Sequence, residues 1–201
     1  QSRIPLSAPR SILVDHRFYC LIPHAAIDAL LPSLDGKIGG QHVLILYDLS
    51  MSCKSLYDPG LREAFLRNVE REYCNAGSPN VLFSLVGFSQ MGTVLVNRGS
   101  LEEVLTALKG LSFAASMDFR VLDNVVGGAV NDIDACLLFS DGWVGSSPSR
   151  PPRAQNMKVP IHVVLPPGVN GPTDDPAVNH HLLKWLSSQT GGVCLPLGSH
   201  L

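Results

Sequence analysis

The run His42-Val43-Leu44-Ile45-Leu46-Tyr47 stops abruptly at Asp48-Leu49-Ser50-Met51-Ser52, and this change of character limits the folds open to the chain. A near-continuous apolar run rich in branched side chains reads as a strand buried on both faces. Beyond its end stand one carboxylate and two hydroxyls at alternate positions. A loop leaving the strand can then turn Asp48, Ser50 and Ser52 toward one point. Three oxygen donors converging there suit a hard divalent cation such as Mg²⁺.

The remainder of the chain from residue 41 alternates between strand and helix patterns. The first strand covers 42–48. Residues 61–69 place Leu61, Phe65 and Val69 on one face with charge between them, an amphipathic helix that Asp58-Pro59 starts. Val81 to Phe88 reads as a second buried strand, and Thr93 to Val96 follows after a short turn, so the two form a hairpin. Ser100 and Glu103 make a capping box for a helix at 101–109. Asp118 opens a further helix closed by Gly127-Gly128. Strands follow at 133–140 and 159–165, and Asp174-Asp175-Pro176 starts a helix that Gly191-Gly192 ends before a short strand at 193–195. Strands separated by helices argue a doubly wound α/β domain, a mostly parallel sheet with one antiparallel edge strand and helices on both faces.

Two regions leave this pattern. Residues 143–158 are rich in proline and serine, so a loop replaces an expected helix. The first 40 residues hold two extended segments, Ser11 to Val14 and Phe18 to Ile22, then a short helix near 25–31. The division expected is an N-terminal extension, 1–40, packed on a domain at 41–201.

At 201 residues and 45% apolar composition, the chain buries a sizeable core. A formal net charge of −2 offers no footprint for nucleic acid or an anionic membrane, and no apolar stretch is long enough to span a bilayer. Five cysteines (20, 53, 74, 136 and 194) without a CxxC spacing read as reduced thiols packed as small hydrophobes. With no Asn-x-Ser/Thr acceptor in the chain, they point to an intracellular protein, in cytoplasm or nucleus.

Ligands of open α/β sheets bind beyond the carboxyl ends of the strands. Oxygen donors stand at three such places: Asp48, Ser50 and Ser52; Ser140-Asp141-Gly142; and the loop Ala114-Ala115-Ser116-Met117-Asp118. This arrangement resembles the von Willebrand factor A family and its metal-ion-dependent adhesion site. Asp48-Leu49-Ser50-Met51-Ser52 matches the Asp-x-Ser-x-Ser signature and Ser140-Asp141-Gly142 the Thr-Asp-Gly. Gly87-Phe88-Ser89 and Thr190-Gly191-Gly192 fit the family's turns, and the likeness spans roughly residues 41–197.

The resemblance implies a Mg²⁺ or Mn²⁺ ion that holds an acidic side chain of a partner protein. Ser50 and Ser52 would ligate directly, and Asp48 and Asp141 largely through water. A cation held by neutral hydroxyls keeps residual charge, which an incoming carboxylate completes. The third loop departs from the family, because Met117 stands where a threonine is usual. A thioether is a poor ligand for a hard cation, which leaves Ser116 as the substitute and Asp118 as ligand or helix cap. The metal ligands expected are therefore Asp48, Ser50, Ser52, Ser116 and Asp141, in a non-enzymatic interaction module cut from a larger protein.

Two other readings compete. A degenerate site would leave a metal-free scaffold that binds through its edge strand or helices. Gly87-Phe88-Ser89-Gln90-Met91-Gly92 also resembles the nucleophile elbow of serine esterases, with Asp174 or Asp175 and His180, His181 or His200 in triad order. Met91 in place of the second glycine and a strand in place of a helix after Ser89 oppose it. Cys53 reads as a packed thiol, and Arg150 and Arg153 as solvated loop residues.

The extension should cover the sheet face left bare by the helix missing from 143–158, since an open parallel-sheet face is prone to aggregate. A chain beginning at residue 41 is then expected to be insoluble or markedly less stable in urea unfolding; equal solubility and stability would overturn this.

Overall fold

The computed structural model describes residues 10–14, 17–21, 41–75, 80–114, 118, 120–125, 132–142, 159–166 and 179–197. Residues 10–14 (β1) and 17–21 (β2) pair antiparallel as a separate two-stranded sheet. The main sheet has six strands: β3 (41–48), β4 (81–88), β5 (92–99), β6 (135–139), β7 (161–165) and β8 (194–196). Their spatial order is β5-β4-β3-β6-β7-β8. All neighbours run parallel except β4 and β5, which form an antiparallel hairpin at the sheet edge.

Side chains alternate along β3, and the alternation sorts the core into two layers. Val43, Ile45 and Tyr47 face one cluster with Phe83, Leu85, Leu137 and Phe139. The helix at 59–75 (α1) and that at 101–109 (α2) close it with Phe65, Leu66, Val104 and Leu108. Leu44 and Leu46 face the other with Val86, Phe88 and Leu138. A one-turn helix at 121–124 (α3) and the helix at 180–190 (α4) cover that side through Leu122, Leu183 and Leu186. Every residue of β3 is buried, as expected of a central strand covered on both faces.

Local signals account for the boundaries. Ser100 accepts from Glu103 N at 3.3 Å while the Glu103 carboxylate accepts from Ser100 N at 2.7 Å, the capping box read from sequence. Gly191 ends α4 in the left-handed region at φ 75°, where a side chain would be strained. Two helix starts differ from expectation. α3 begins at Val121 rather than Asp118, whose carboxylate instead accepts from the backbone and guanidinium of Arg120. α4 begins at His180 rather than near Asp174, because Asn179 supplies the cap by accepting from Leu182 N at 3.2 Å. The expected helix near 25–31 and the loop at 143–158 lie outside the described residues. Among the described residues no helix is long and apolar enough to cross a membrane.

His162, on β7, is buried, and its Nδ1 accepts from Val193 N at 3.4 Å. Burial pushes its pKa down to about 4 from the usual 6.5, so the folded state holds the neutral ring. This contribution is complete above the unfolded value near 6.5 and is lost as pH falls toward 4, on the order of 3 kcal/mol. His162→Gln should remove that part of the acid sensitivity. The test is urea unfolding at pH 4.5 and 7; a native-minus-variant difference that does not change with pH would refute it.

Candidate metal centre

Chain order places β4 on one side of β3 and β6 on the other, so the crossovers diverge at the carboxyl ends of β3 and β6. Such a switch point opens a crevice at the sheet's top, and the buried polar groups gather there. Asp48 ends β3, and Ser140 and Asp141 follow β6 directly. Asp48, Ser50, Ser140 and Asp141 are all buried.

The loop after β3 is clamped on two sides by backbone bonds. Leu49 N donates to Phe88 O at 2.8 Å, Ala114 N to Leu49 O at 2.7 Å, and Met51 N to Ala114 O at 2.9 Å. A 3₁₀ turn over Met51–Ser55 then curls the chain back, with Cys53 N donating to Ser50 O at 3.1 Å. These constraints bring Ser50 Oγ and Ser52 Oγ within 3.0 Å of each other, the convergence expected from their alternate spacing.

Asp48 organises the floor. Its Oδ1 accepts from Ser50 N at 2.8 Å and its Oδ2 from Ser140 Oγ at 2.6 Å. Ser140 Oγ in turn accepts from Gly142 N at 3.0 Å. Gly142 has φ +73°, and a Cβ there would come within 2.9 Å of Asn179 O and Leu183 Cγ, so this turn requires glycine. Asp141 is pinned by its backbone: its N donates to Cys53 Sγ at 3.3 Å, and its O accepts from Asn179 N at 2.7 Å. Tyr57 Oη shares its proton between Ser140 O at 3.0 Å and Val164 O at 2.9 Å, tying the turn to the ends of β6 and β7.

Burial raises the pKa of Asp48 above the usual carboxylate range, and the charge of Asp141 adds to it, against the hydrogen bonds from Ser140 and Ser50. The Cys53 thiol is likewise pushed up by burial, then by the charges of Asp48 and Asp141. One ligand atom from each of Asp48, Cys53 and Asp141 lies within 4.8 Å of the other two. Two buried carboxylates and a thiol gathered within 4.8 Å, with the paired Ser50 and Ser52 hydroxyls on the adjoining loop, form a donor set that fits a divalent cation, whose charge offsets what burial makes costly.

Asp48, Ser50, Ser52 and Asp141 thus come together at one end of the sheet. Ser116 lies outside the described residues. Both carboxylate oxygens of Asp118 accept from the Arg120 guanidinium, and Oδ1 also accepts from Arg120 N at 2.9 Å just ahead of α3. Three participants were not among the ligands expected from sequence. Ser140 carries the hydrogen bond from the position of the family's threonine, Cys53 follows Ser52 directly, and Tyr57 has no sequence signal because its partners are backbone carbonyls of distant strands.

No family model matches the sequence, and no curated protein does. Solved structures do match. BatB from Bacteroides thetaiotaomicron is 12% identical with a TM-score of 0.54, over 80% of this chain and 92% of that one. The VWA domain of SpRpn10 is 13% identical with a TM-score of 0.51, over 81% and 92%. The fold is that of a von Willebrand factor A domain. Proximal thread matrix protein 1 from the mussel byssus, described with a zinc-occupied MIDAS motif, matches at 13% identity and a TM-score of 0.53, over 79% of this chain and 42% of that one.

Within this von Willebrand factor A-like fold, Ser89 does not stand at a nucleophile elbow. β4 ends at Phe88, Ser89 N donates to Met91 O at 3.1 Å in a tight turn, and β5 rather than a helix follows.

Asp48 carries two hydrogen bonds as an acceptor, so its two substitutions should differ. Asp48→Ala leaves Ser50 N and the Ser140 hydroxyl without their acceptor in a buried place and is expected to cost about 2–4 kcal/mol. Asp48→Asn keeps one acceptor oxygen and should cost less than half as much in denaturant unfolding with chelator present. Equal losses in the two variants would count against Asp48 as the organiser of the floor.

Proposed function

We propose that this chain is a protein-interaction module of von Willebrand factor A type. In this reading Asp48, Ser50, Ser52 and Asp141 hold a divalent cation, Mg²⁺ or Mn²⁺, which captures an acidic side chain of a partner protein. The observation that carries it is the convergence of two buried carboxylates and two paired hydroxyls at the switch point of the sheet. When bound, the ion supplies a Lewis-acidic centre for a carboxylate. The protein's residues do the rest: Ser140 and the Ser50 amide hold Asp48 in place, and the clamped loop keeps both serine hydroxyls on the same side.

Further features support related parts of the reading. Met51 and Met91, at the ends of β3 and β4, are 53% and 76% exposed, and polarizable apolar side chains suit a docking rim. Cys53, Cys74, Cys136 and Cys194 are all free thiols, which supports an intracellular setting. Residues 1–40 act as an extension of the domain at 41–201. A chain without an elbow at Ser89 is better read as a binding module than as a hydrolase.

Calorimetric titration with Mg²⁺ and Mn²⁺ tests the reading. We expect saturable heat and a rise in unfolding temperature, both absent in Asp48→Ala and Asp141→Ala. Capture of an acidic-residue peptide library should require the ion and reverse with chelator. Binding that persists in chelator would instead favour a metal-free scaffold.

A further inference from the structure

We propose that Cys53 makes this centre selective for thiophilic divalent ions, Zn²⁺ or Co²⁺, over Mg²⁺. The inference deepens the metal-site reading above and rests on it.

Cys53 is not an isolated thiol. It is fully buried in the 3₁₀ turn directly after Ser52, and its Sγ faces Asp48 at the end of β3 and Asp141 after β6. The three ligand atoms come from the end of β3, the 3₁₀ turn that follows it and the turn after β6, and mutual hydrogen bonds tie these together. Asp48 is held by Ser50 and Ser140, Asp141 by its backbone bonds to Cys53 and Asn179, and Cys53 by its amide bond to Ser50 O. Three atoms mutually within 4.8 Å share a point no more than about 2.8 Å from each, so shifts of under about 1 Å reach the zinc distances of about 2.0–2.3 Å.

The donor chemistry then decides the ion. Mg²⁺ demands oxygen ligands in near-octahedral array and gains little from sulfur. Zn²⁺ accepts four-coordinate sites of mixed sulfur and oxygen, and Asp48, Asp141, Cys53 and one serine hydroxyl or water make such a set. Binding forms a metal–sulfur bond and breaks the S–H bond, with the proton leaving to solvent. The backbone N–H of Asp141 donates to Sγ, a bond that favours the thiolate once the ion is present.

Titration of the whole chain with Co²⁺, Zn²⁺ and Mg²⁺ tests this, with Cys74→Ser as a background that removes the one exposed thiol among the described residues. We expect a near-ultraviolet sulfur-to-cobalt charge-transfer band in the native chain and in Cys74→Ser, and none in Cys53→Ser. Zn²⁺ affinity should fall more than about tenfold in Cys53→Ser while Mg²⁺ affinity changes less than about threefold. X-ray absorption of the zinc-loaded chain does not depend on Cys53→Ser folding, and should show a zinc–sulfur path near about 2.3 Å in the native chain and in Cys74→Ser. Mg²⁺ and Co²⁺ binding with no sulfur signature would overturn the role of Cys53 and leave the metal site standing. A complete lack of response to every ion would overturn both.

Discussion

Everything at the functional end of this molecule depends on burying one carboxylate. Asp48 sits at the end of a strand covered on both faces, where a charge is costly unless hydrogen bonds and opposite charge surround it. The Ser50 amide and the Ser140 hydroxyl supply the hydrogen bonds. Because one donor lies on the loop after β3 and the other after β6, the same carboxylate that is solvated also joins the two strands on either side of the crevice. The charge left over is what a cation would meet. The surroundings of this group are fixed accordingly, by a clamped loop, a glycine turn at Gly142 and a tyrosine shared between two carbonyls.

The aromatic layer beneath the site stiffens it from below. Tyr47 stacks on Phe139 with centroids 5.6 Å apart, and Tyr57 meets Phe139 edge-on at 5.3 Å. Arg62 on α1 lies over the Tyr47 ring, 5.3 Å from its centroid, and donates to the Tyr47 hydroxyl at 2.8 Å. These contacts link the residue before Asp48, the residue before Ser140 and the helix that follows the 3₁₀ turn. A change in position of any one ligand loop would have to move this layer too. Such a support holds the donor groups in place, and prearranged donors lower the ordering cost of any binding event.

Much of this was legible in the chain itself. β3, β4 and α2 are readable because burial on two faces, or on one helical stripe, leaves a periodic trace, and the capping box of Ser100 and Glu103 acts over three residues. The convergence of Ser50 and Ser52 follows from their spacing. The starts of α3 and α4 were misread because competing polar residues close in sequence offered equally good caps. Asp118 bonds Arg120, and Asn179 takes the capping role expected of Asp174, while Asp118 N donating to Ser89 O and Asn179 N to Asp141 O tie both starts to distant turns.

The sequence by itself determined the fold class and the gathering of oxygen donors at the strand ends, because strand periodicity and turn residues are local properties of the chain. Only the tertiary structure decided what surrounds Asp48. Ser140 reaches it across 92 positions, Tyr57 holds Val164 across 107, and Cys53 meets Asp141 across 88. Such partners are set by strand order and by which face each turn presents, and no local pattern encodes either. The Asp-x-Ser-x-Ser run gathers oxygen donors at the end of β3, and the packing around it places a thiol beside the carboxylates.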